Sequence, residues 1–350
     1  MRCGAFGDMV LLTPLIRALH LRFGQPVDLV SSGPWTIPLL QGQPGVGDIF
    51  LIKSRKTPYW LSPRQRELAK WLRARGAGPT WFCDPGRIGR DLLRRGRIPD
   101  ELVCDDNDFP WIAGEHFVDR WIRFAQVSPP GLRAAEAANR AIHADSRTTF
   151  DGDIAGASVA RAAVLEIQPA MRAGLEPWLT RRGLAGRPLI LIQAGNKRTM
   201  RRGSRQRVTN RKYWPEENWA AVIRALRAAR PDHAVLLLGV PAEFELNREV
   251  VALSGVSDVH NVADELPIHI LLPLLERASS MVSVDTGPAH AAAALGCPTV
   301  ALFGTSDPQL YRPGGVTTPT IVVTGKVNGE PTMLGISPEE VIEAWRKLTG

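Results

Sequence analysis

Short, almost wholly apolar runs alternate with helical patterns along this chain, and this alternation limits the folds open to it. The runs PLILI, AVLLL, MVSV and TVALF have the length of a strand and almost no polar side chains, which is typical of strands covered on both faces. Strands that alternate with helices favour βαβ units and parallel sheets. The sequence therefore predicts an α/β fold, with strands at Val27–Ser31, Pro188–Ile192, Ala234–Leu238, Met281–Val284 and Thr299–Phe303.

Helices are predicted where apolar residues recur every three or four positions. The last of these patterns, at the end of the chain, has Ser337 as an N-cap and acids in its first turn. The predicted helices are Pro63–Arg75, Phe117–Ala125, Trp219–Ala229, Glu243–Leu253, Leu271–Arg277, Pro288–Leu295 and Pro338–Leu348.

A length of 350 residues suggests two domains. The clearest strand–helix series begins at Pro188, whereas residues 129–186 are rich in Ala and Arg and less regular. We therefore place the boundary near Ile167, which gives one domain over residues 1–167 and a second over residues 168–350.

The composition narrows the classes of protein that this chain can belong to. A net charge of +8 favours anionic partners, although an Arg-rich surface explains it equally well. The four Cys have no metal-ligand spacing and indicate reduced, packed thiols. No apolar stretch reaches the roughly 20 residues of a membrane span, and Asp8 interrupts the only candidate for a signal peptide. We expect a cytoplasmic protein.

Near the start of the chain, GAFGD precedes an apolar helical pattern. Two glycines allow a tight turn, so that Asp8 is predicted at or just before a helix N-terminus. Asp8 can be an N-cap, or it can be a carboxylate placed to accept a proton from a substrate. The residues alone favour the cap.

A basic segment, residues 197–212, follows the strand-end sequence Gln193–Asn196. It carries eight Lys and Arg, no acid and no apolar periodicity, which predicts a mobile loop. The loop is either solvated surface or a cationic flap over phosphates. Its place between a strand end and a helix start favours the flap.

Acids also follow two later strands. Glu243 comes after AVLLL, where it can hydrogen-bond ribose hydroxyls or complement a helix dipole. Asp285 and His290 flank Thr286 and Gly287 at a predicted helix start, which is either a natural anion site or a simple cap beside an ordinary histidine. The pair Asp151 and Asp153 matches the D-x-D of metal-dependent sugar transferases, but it lies in an irregular segment and we assign it no role.

Taken together, these motifs resemble glycosyltransferase family 9, the ADP-heptose:lipopolysaccharide heptosyltransferases. The similar segments are GAFGDMVLLTPLIRAL, LILIQAGN, KYWPEENWAAVI, LLLGVPAE, SVDTGPAHAAAALGCPTVALFGTSDP and ISPEEVIEAW. Two departures stand out: only Met1 to Cys3 precede the G-x-x-G-D, where the family has a full strand, and the basic loop is longer than in well-known members.

The resemblance implies a GT-B fold, in which two Rossmann-like domains with parallel sheets face a central cleft. It also implies that the last helix, about 337–348, packs back on the first domain. Asp8 matches the family's proposed base, Lys212 its phosphate-binding lysine and Glu243 its ribose-binding acid. Asn196 stands where Ser or Thr is commoner. The remaining implied donor-binding residues are Gly7, Asp285, Thr286, Gly287 and His290.

The leading hypothesis is an inverting, metal-independent enzyme that moves a heptose from ADP-heptose to a lipopolysaccharide-core acceptor. It needs no cofactor and no nucleic acid, and it allows peripheral contact with the cytoplasmic face of the inner membrane. Lys53, Arg55 and Lys56 are candidate contacts to an anionic acceptor, from their position and charge. The alternative is a non-catalytic protein that binds a nucleotide-sugar or a nucleic acid through the basic loop.

Overall fold

The computed structural model describes residues 1–86, 89–134, 160–196, 199, 204–316 and 319–350. The chain divides into two compact units, Met1–Arg161 and Ala162–Gly350. We call these unit 1 and unit 2 and describe each by itself.

Unit 1 contains two pairs of parallel strands. The first pair is β1 (Val27–Ser32) with β2 (Val46–Ile52), and the second is β3 (Thr80–Phe82) with β4 (Val103–Asp105).

The first three residues of the chain lie between these two pairs. The Arg2 N–H donates to the Val30 carbonyl of β1 at 2.9 Å, and the Cys83 N–H donates to the Met1 carbonyl at 2.8 Å. The Met1 ammonium donates to the Trp81 carbonyl at 2.7 Å, which completes the bonding pattern of a parallel pair with β3. Residues 1–3 thus take the place of the full strand expected before the G-x-x-G-D, and they join the pairs in the order β2, β1, residues 1–3, β3, β4.

The helices of unit 1 cover this arrangement and close its core. The helix predicted from Pro63 begins where expected, because the Ser62 hydroxyl accepts from the Gln65 N–H at 3.3 Å and Pro63 occupies the first turn. Among the described residues of unit 1, the helices whose two ends are both described are α1 (Phe6–Leu11), α2 (Thr13–Phe23), α3 (Thr36–Leu40), α4 (Pro63–Arg75), α5 (Arg90–Arg95) and α6 (Phe117–Ala125).

Unit 2 is built on one parallel sheet of six strands, in the order β10, β9, β8, β5, β6, β7. This is the doubly wound order of a Rossmann fold, with β5 as the first strand and β8 on its other side. Strands β5, β6, β8 and β9 are buried along their whole length, as their apolar runs predict. The strands are β5 (Leu189–Gln193), β6 (Ala234–Leu237), β7 (Val259–Asn261), β8 (Ser280–Val284), β9 (Thr299–Phe303) and β10 (Thr320–Thr324).

Helices lie between the strands of unit 2, and a small antiparallel pair, β11 (Lys326–Val327) with β12 (Glu330–Pro331), follows the sheet. The helices are α7 (Pro169–Thr180), α8 (Glu216–Ala229), α9 (Phe244–Ser254), α10 (Ile268–Arg277), α11 (Gly287–Ala294), α12 (Pro308–Tyr311) and α13 (Pro338–Thr349). None of the helices in the described residues is both long and apolar enough to cross a membrane.

The last helix, α13, begins at a capping box in which Ser337 and Glu340 each accept a hydrogen bond from the other's backbone N–H. It packs against α8, β9 and β10 of unit 2. The indole N–H of Trp345 donates to the Ser280 hydroxyl at 2.9 Å, which fixes the helix on the sheet. The expected contact of this helix with the first domain stays a prediction.

Candidate active site

The order of the sheet in unit 2 places two motifs next to each other. β5 and β8 are neighbours and pair Gln193 with Ser283, so the segments after them leave the same edge of the sheet. Connections run in opposite directions from these two strands, and ligands of doubly wound sheets bind at such a switch point. Asn196 and Asp285 therefore lie on either side of the position where the fold favours a ligand.

At this edge two side chains, Lys212 and His290, contact the Asp285 carboxylate. The Lys212 ammonium lies 2.7 Å from Asp285 Oδ2 and also donates to the Asp285 carbonyl at 2.6 Å. On the other side, His290 Nε2 lies 3.6 Å from Asp285 Oδ1. His290 Nδ1 is buried and has no hydrogen-bond partner in the part of the chain that the structure describes. An ammonium has three N–H donors, so Lys212 keeps one for a ligand oxygen.

The charge state of Asp285 follows from these contacts. Burial acts to raise the pKa of Asp285, but the hydrogen bond from His290 and the charge of Lys212 outweigh it and lower the pKa to about 2. Asp285 is therefore a carboxylate at neutral pH. Its backbone N–H donates to the Leu302 carbonyl of β9 at 3.0 Å, which holds the residue at the strand end.

The helix that follows, α11, presents its N-terminus at the same edge. Thr286 is the N-cap residue, but its hydroxyl lies 3.1 Å from the Ser283 hydroxyl and does not cap the helix. The first-turn amides of Gly287 and Ala289 point out of the helix start, while Pro288 has no N–H to offer. A helix start of this kind attracts anions such as phosphates.

Glu243 lies at the neighbouring strand end, after β6. One carboxylate oxygen accepts from the Val240 N–H at 2.9 Å, and the other lies 3.4 Å from the Gln193 amide nitrogen. No cation is among these partners. Burial therefore dominates and raises the pKa of Glu243 to about 7.

Two strand-end glycines make room for the Glu243 carboxyl group. A Cβ on Gly195 would lie 2.4 Å from Glu243 Oε1, which no ordinary contact allows. A Cβ on Gly239 would lie 3.2 Å from the Glu243 Cβ. The glycines of QAGN and LLLGVPAE are thus explained by the close approach of this side chain.

The second half of the basic segment is structured, unlike the mobile loop that the sequence predicts. Ser204–Thr209 form a 3-10 helix, and the Arg207 guanidinium pairs with Glu216 at 3.0 Å and Glu249 at 2.6 Å. The remaining members 197, 198 and 200–203 lie outside the described residues.

Asn196 belongs to the network that positions Lys212. The Asn210 amide donates to Asn196 Oδ1 at 3.3 Å and to the Thr199 hydroxyl at 3.1 Å. Asn210 Oδ1 in turn accepts from the Lys212 N–H at 3.1 Å. Asn196 is therefore tied to the segment that carries the lysine.

In unit 1, Ala5 is the N-cap of α1 and Asp8 lies three residues further on, in the first turn, so the N-cap role favoured from the residues alone is wrong. Asp8 Oδ2 accepts from the Ala5 N–H at 2.8 Å, and Oδ1 lies 3.6 Å from the Arg2 guanidinium. The side chain is still 41% exposed, so a substrate can reach it. Gly7 precedes it in the same turn, and the Gly4 position is closed to a Cβ, which would lie 2.6 Å from the Asp8 Cβ.

The three candidate acceptor cations differ in their surroundings. Lys53 and Lys56 are exposed. Arg55 instead pairs with the fully buried Asp84 at 2.8 Å, and Asp84 also accepts from the Cys3 N–H at 2.5 Å. The Arg55 charge thus has an internal partner, which the sequence did not predict.

The sequence analysis did not identify two residues of unit 1 that contact the candidate site residues: Arg2, which contacts Asp8, and Asp84, which contacts Arg55. Arg2 bridges Asp8 and the Cys83 carbonyl, to which it donates at 2.5 Å. Asp84 directly follows the apolar residues Trp81 to Cys83, and this strand-end position is the signal that could have identified it. Arg2 carries no comparable signal.

The D-x-D pair, Asp151 and Asp153, lies outside the described residues. Within the part of the chain that the structure covers, no three His, Cys, Asp or Glu side chains are grouped so as to hold a metal ion.

Comparison with known proteins agrees with this arrangement. A family model described as glycosyltransferase family 9 (heptosyltransferase) matches residues 112–332, more than half of the chain. Lipopolysaccharide heptosyltransferase 2 of Salmonella typhimurium is 24% identical over 98% of this chain and 95% of its own length. Lipopolysaccharide heptosyltransferase 2 of Escherichia coli K12 is 28% identical over 88% of this chain and 82% of its own length.

Solved structures show the same fold. E. coli ADP-heptose LPS heptosyltransferase II matches with a TM-score of 0.69 at 19% identity, over 99% of this chain and 97% of the other. A glycosyl transferase family 9 protein from Veillonella parvula matches with a TM-score of 0.75 at 18% identity, over 99% and 95%. The fold is that of a GT-B glycosyltransferase, as the resemblance implied. This chain belongs to glycosyltransferase family 9 and is an enzyme of that class.

Proposed function

We propose that this enzyme is an inverting heptosyltransferase that transfers a heptose from ADP-heptose to a lipopolysaccharide-core acceptor. The observation that carries the proposal is the contact of Lys212 and His290 with Asp285 beside the start of α11. This arrangement places one cation and a set of helix amides at the switch point of the sheet, which suits a nucleoside diphosphate. Relatives named as lipopolysaccharide heptosyltransferases support the sugar and the acceptor.

In the proposed reaction the acceptor hydroxyl oxygen attacks the anomeric carbon of the heptose. The bond from that carbon to the diphosphate oxygen breaks, its electron pair leaves with ADP, and the hydroxyl proton passes to a base. A single displacement of this kind inverts the anomeric centre. The negative charge that develops on the diphosphate is stabilised by the Lys212 ammonium and the amides of Gly287 and Ala289, with no metal or cofactor required.

Asp8 is the proposed base. Its carboxylate is held by the Ala5 N–H while a large part of it is open to solvent. The hydrogen bond from Ala5 is compatible with the role of base, because it fixes the orientation of the group that receives the proton.

The proposed partners are the nucleotide-sugar and an anionic acceptor, with Glu243 on the ribose and Lys53 and Lys56 toward the acceptor. The proposed location is the cytoplasm, with peripheral contact at the inner membrane. The rival idea, a non-catalytic nucleic-acid-binding protein, relies on the basic segment, and there Arg207 is already paired with two acids.

The test replaces Asp8 by Asn, which keeps the shape and one acceptor oxygen for the Ala5 N–H. We expect transfer from ADP-heptose to fall roughly a hundredfold or more, since general-base catalysis typically supplies that factor. ADP affinity, measured by calorimetry, should stay as in the wild type. Asp91→Asn is the matched control, because Asp91 is an exposed first-turn acid of α5 in the same unit.

Full transfer by the Asp8→Asn variant would refute the assignment of Asp8 as the base.

A parallel screen of ADP-, UDP- and GDP-sugars, with and without chelator, tests which donor the enzyme uses and whether transfer is independent of metal. A steep fall in RNA affinity with added salt, together with no sugar transfer, would favour the nucleic-acid alternative.

A further inference from the structure

Unit 1 exposes a tryptophan and a leucine side by side. Trp60 is 73% exposed and Leu61 is 56% exposed. They lie in a 3-10 helix, Tyr59–Leu61, between β2 and α4. Large apolar side chains that stay in water cost free energy, so an adjacent exposed pair calls for a partner.

The pair is held outward by a rigid support. The Leu61 N–H donates to the Pro58 carbonyl at 3.0 Å, and the Ser62 N–H donates to the Tyr59 carbonyl at 3.2 Å. The Tyr59 ring turns inward, packs against the core and carries the Arg95 guanidinium 4.2 Å above it. Trp60 and Leu61 are therefore fixed in their exposed positions by the neighbours on both sides.

Cations flank this pair along the chain, although Arg55 is paired with Asp84 and Arg64 with Glu67. Between Lys53 and Arg66 the sequence has five Lys or Arg and no acid. The buried Gln65 amide donates to the Ser54 and Thr57 carbonyls at 2.8 and 2.9 Å, so the loop that carries Lys56 is fastened to the start of α4. Arg66 donates to the Trp60 backbone carbonyl at 2.7 Å, which places its charge beside the Trp60 backbone. We call Lys53, Lys56, Trp60, Leu61 and Arg66 the Trp60 face.

A second exposed apolar pair in unit 1 provides a contrast. Trp111 and Ile112 are 51% and 53% exposed. Acids rather than cations flank this pair along the chain, with Asp108 on one side and Glu115 on the other. A cation also lies at this second pair, because the Arg120 guanidinium is 4.0 Å from the Trp111 ring, but Arg120 is fully buried and paired with Asp106. The two pairs have similar apolar character, and they differ in that Arg66, which bonds to Trp60, is exposed.

We infer that the Trp60 face docks on the surface of an anionic lipid bilayer, with the Trp60 and Leu61 side chains inserted at the headgroup level and the cations on the lipid phosphates. Tryptophan is favoured at membrane interfaces because its ring is apolar and its N–H is polar. Each Lys or Arg near an anionic leaflet adds electrostatic attraction to the lipid headgroups. An apolar group plus a polybasic cluster supplies the two signals that stable peripheral binding needs.

The test measures vesicle binding of the full chain without donor or acceptor, so that its result is independent of the proposed reaction. Vesicles of phosphatidylcholine alone and of phosphatidylcholine with phosphatidylglycerol are sedimented with the protein. We expect the wild type to pellet with the anionic vesicles only. The double variant Trp60→Ser/Leu61→Ser should bind them at least about tenfold more weakly. This factor corresponds to a loss of about 1.4 kcal/mol of binding free energy.

Ile112→Ser is the matched control, and it should bind as the wild type does. Thermal unfolding of each variant checks that the fold is kept, and Leu61→Ser alone serves if the double variant unfolds. Equal binding by the wild type and the Trp60 face variant, or no preference for anionic vesicles, would overturn the inference. If the wild type is a dimer without lipid and the double variant is a monomer, the Trp60 face is instead a contact between two copies of the chain.

Discussion

Asp285 and Glu243 are both buried carboxyl groups at the same edge of the same sheet, yet their pKa values move in opposite directions. Burial penalises the charged form of each. Around Asp285, His290 and Lys212 outweigh burial, and the pKa lies at about 2. Around Glu243 the donors that the structure describes, the Val240 N–H and the Gln193 amide, are uncharged, and the pKa rises to about 7. Burial alone therefore does not decide the charge of a group in this site; the nearest cation does.

This difference divides the site into two electrostatic regions. At β8 the negative charge of Asp285 holds Lys212 in place, and we propose that Lys212 in turn contacts the diphosphate of the donor. At β6 a carboxyl group close to half-protonation at neutral pH can either donate or accept a hydrogen bond, which suits a neutral partner such as a hydroxyl. The three variants below change one region at a time.

Lys212→Ala should have the largest effect, because it removes the cation from the β8 region. We expect transfer to slow by roughly a hundredfold or more, as for the loss of one preorganised donor. ADP affinity should fall, and the pKa of Asp285 should rise toward that of a buried group without a cation. Calorimetric titration with ADP and a transfer assay measure the first two effects.

Lys326→Ala, at an exposed lysine of β11 in the same unit, is the control for Lys212→Ala. An unchanged ADP affinity in the Lys212 variant would show that this lysine supports Asp285 but does not contact the diphosphate.

Glu243→Gln tests how the raised pKa of Glu243 makes the free energy of unfolding depend on pH. A raised folded-state pKa gives stability that is complete below about pH 4.5 and is lost as the pH rises through about 7. From about pH 4 to pH 8 the wild type should lose about 3 kcal/mol of unfolding free energy relative to the Gln variant. Urea unfolding at several pH values measures the difference, and a constant difference would contradict the raised pKa. Glu245→Gln, an exposed acid of α9, is the control.

Asp285→Asn should give a smaller effect of the opposite sign. A lowered folded-state pKa gives stability that is complete above about pH 3.8 and is lost as the pH falls through about 2. Over that window the wild type should lose about 2 kcal/mol more than the Asn variant. The same urea series at acid pH measures this loss. Glu339→Gln, in the first turn of α13, should leave the acid dependence unchanged.

Much of unit 2 was predictable because its strands are long apolar runs. β9 has the predicted bounds, β6 and β8 differ from theirs by one residue at one end, and β5 is displaced by one residue at both ends. No pattern predicts β3, β4 or β7, since a strand of three residues is shorter than one clear alternation. In unit 1 the sequence also gives no sign that residues 1–3 lie between β1 and β3, because only the sheet order brings them together.

The candidate site was also predictable only in part: the sequence indicates its residue types but not which of them contact each other. The residue types of Lys212, Glu243 and Asp285 were visible as strand-end or loop positions. Their partners were not: Lys212 and Asp285 lie 73 positions apart, and the order of the strands decides that they meet. Arg55 was assigned to the acceptor from its charge, whereas its contact with the buried Asp84 depends on a turn that no local pattern specifies.

The alanine run of α11 has a consequence for how this helix tolerates change. Every residue from Ala289 to Ala294 is buried, and these six residues make more than one full turn, so this part of the helix is covered on all sides. A surface helix can accumulate substitutions on its outer face without cost, but here each added methyl group displaces a neighbour. The sequence of this helix is thus restricted at consecutive positions by space alone, before any demand of the ligand is counted.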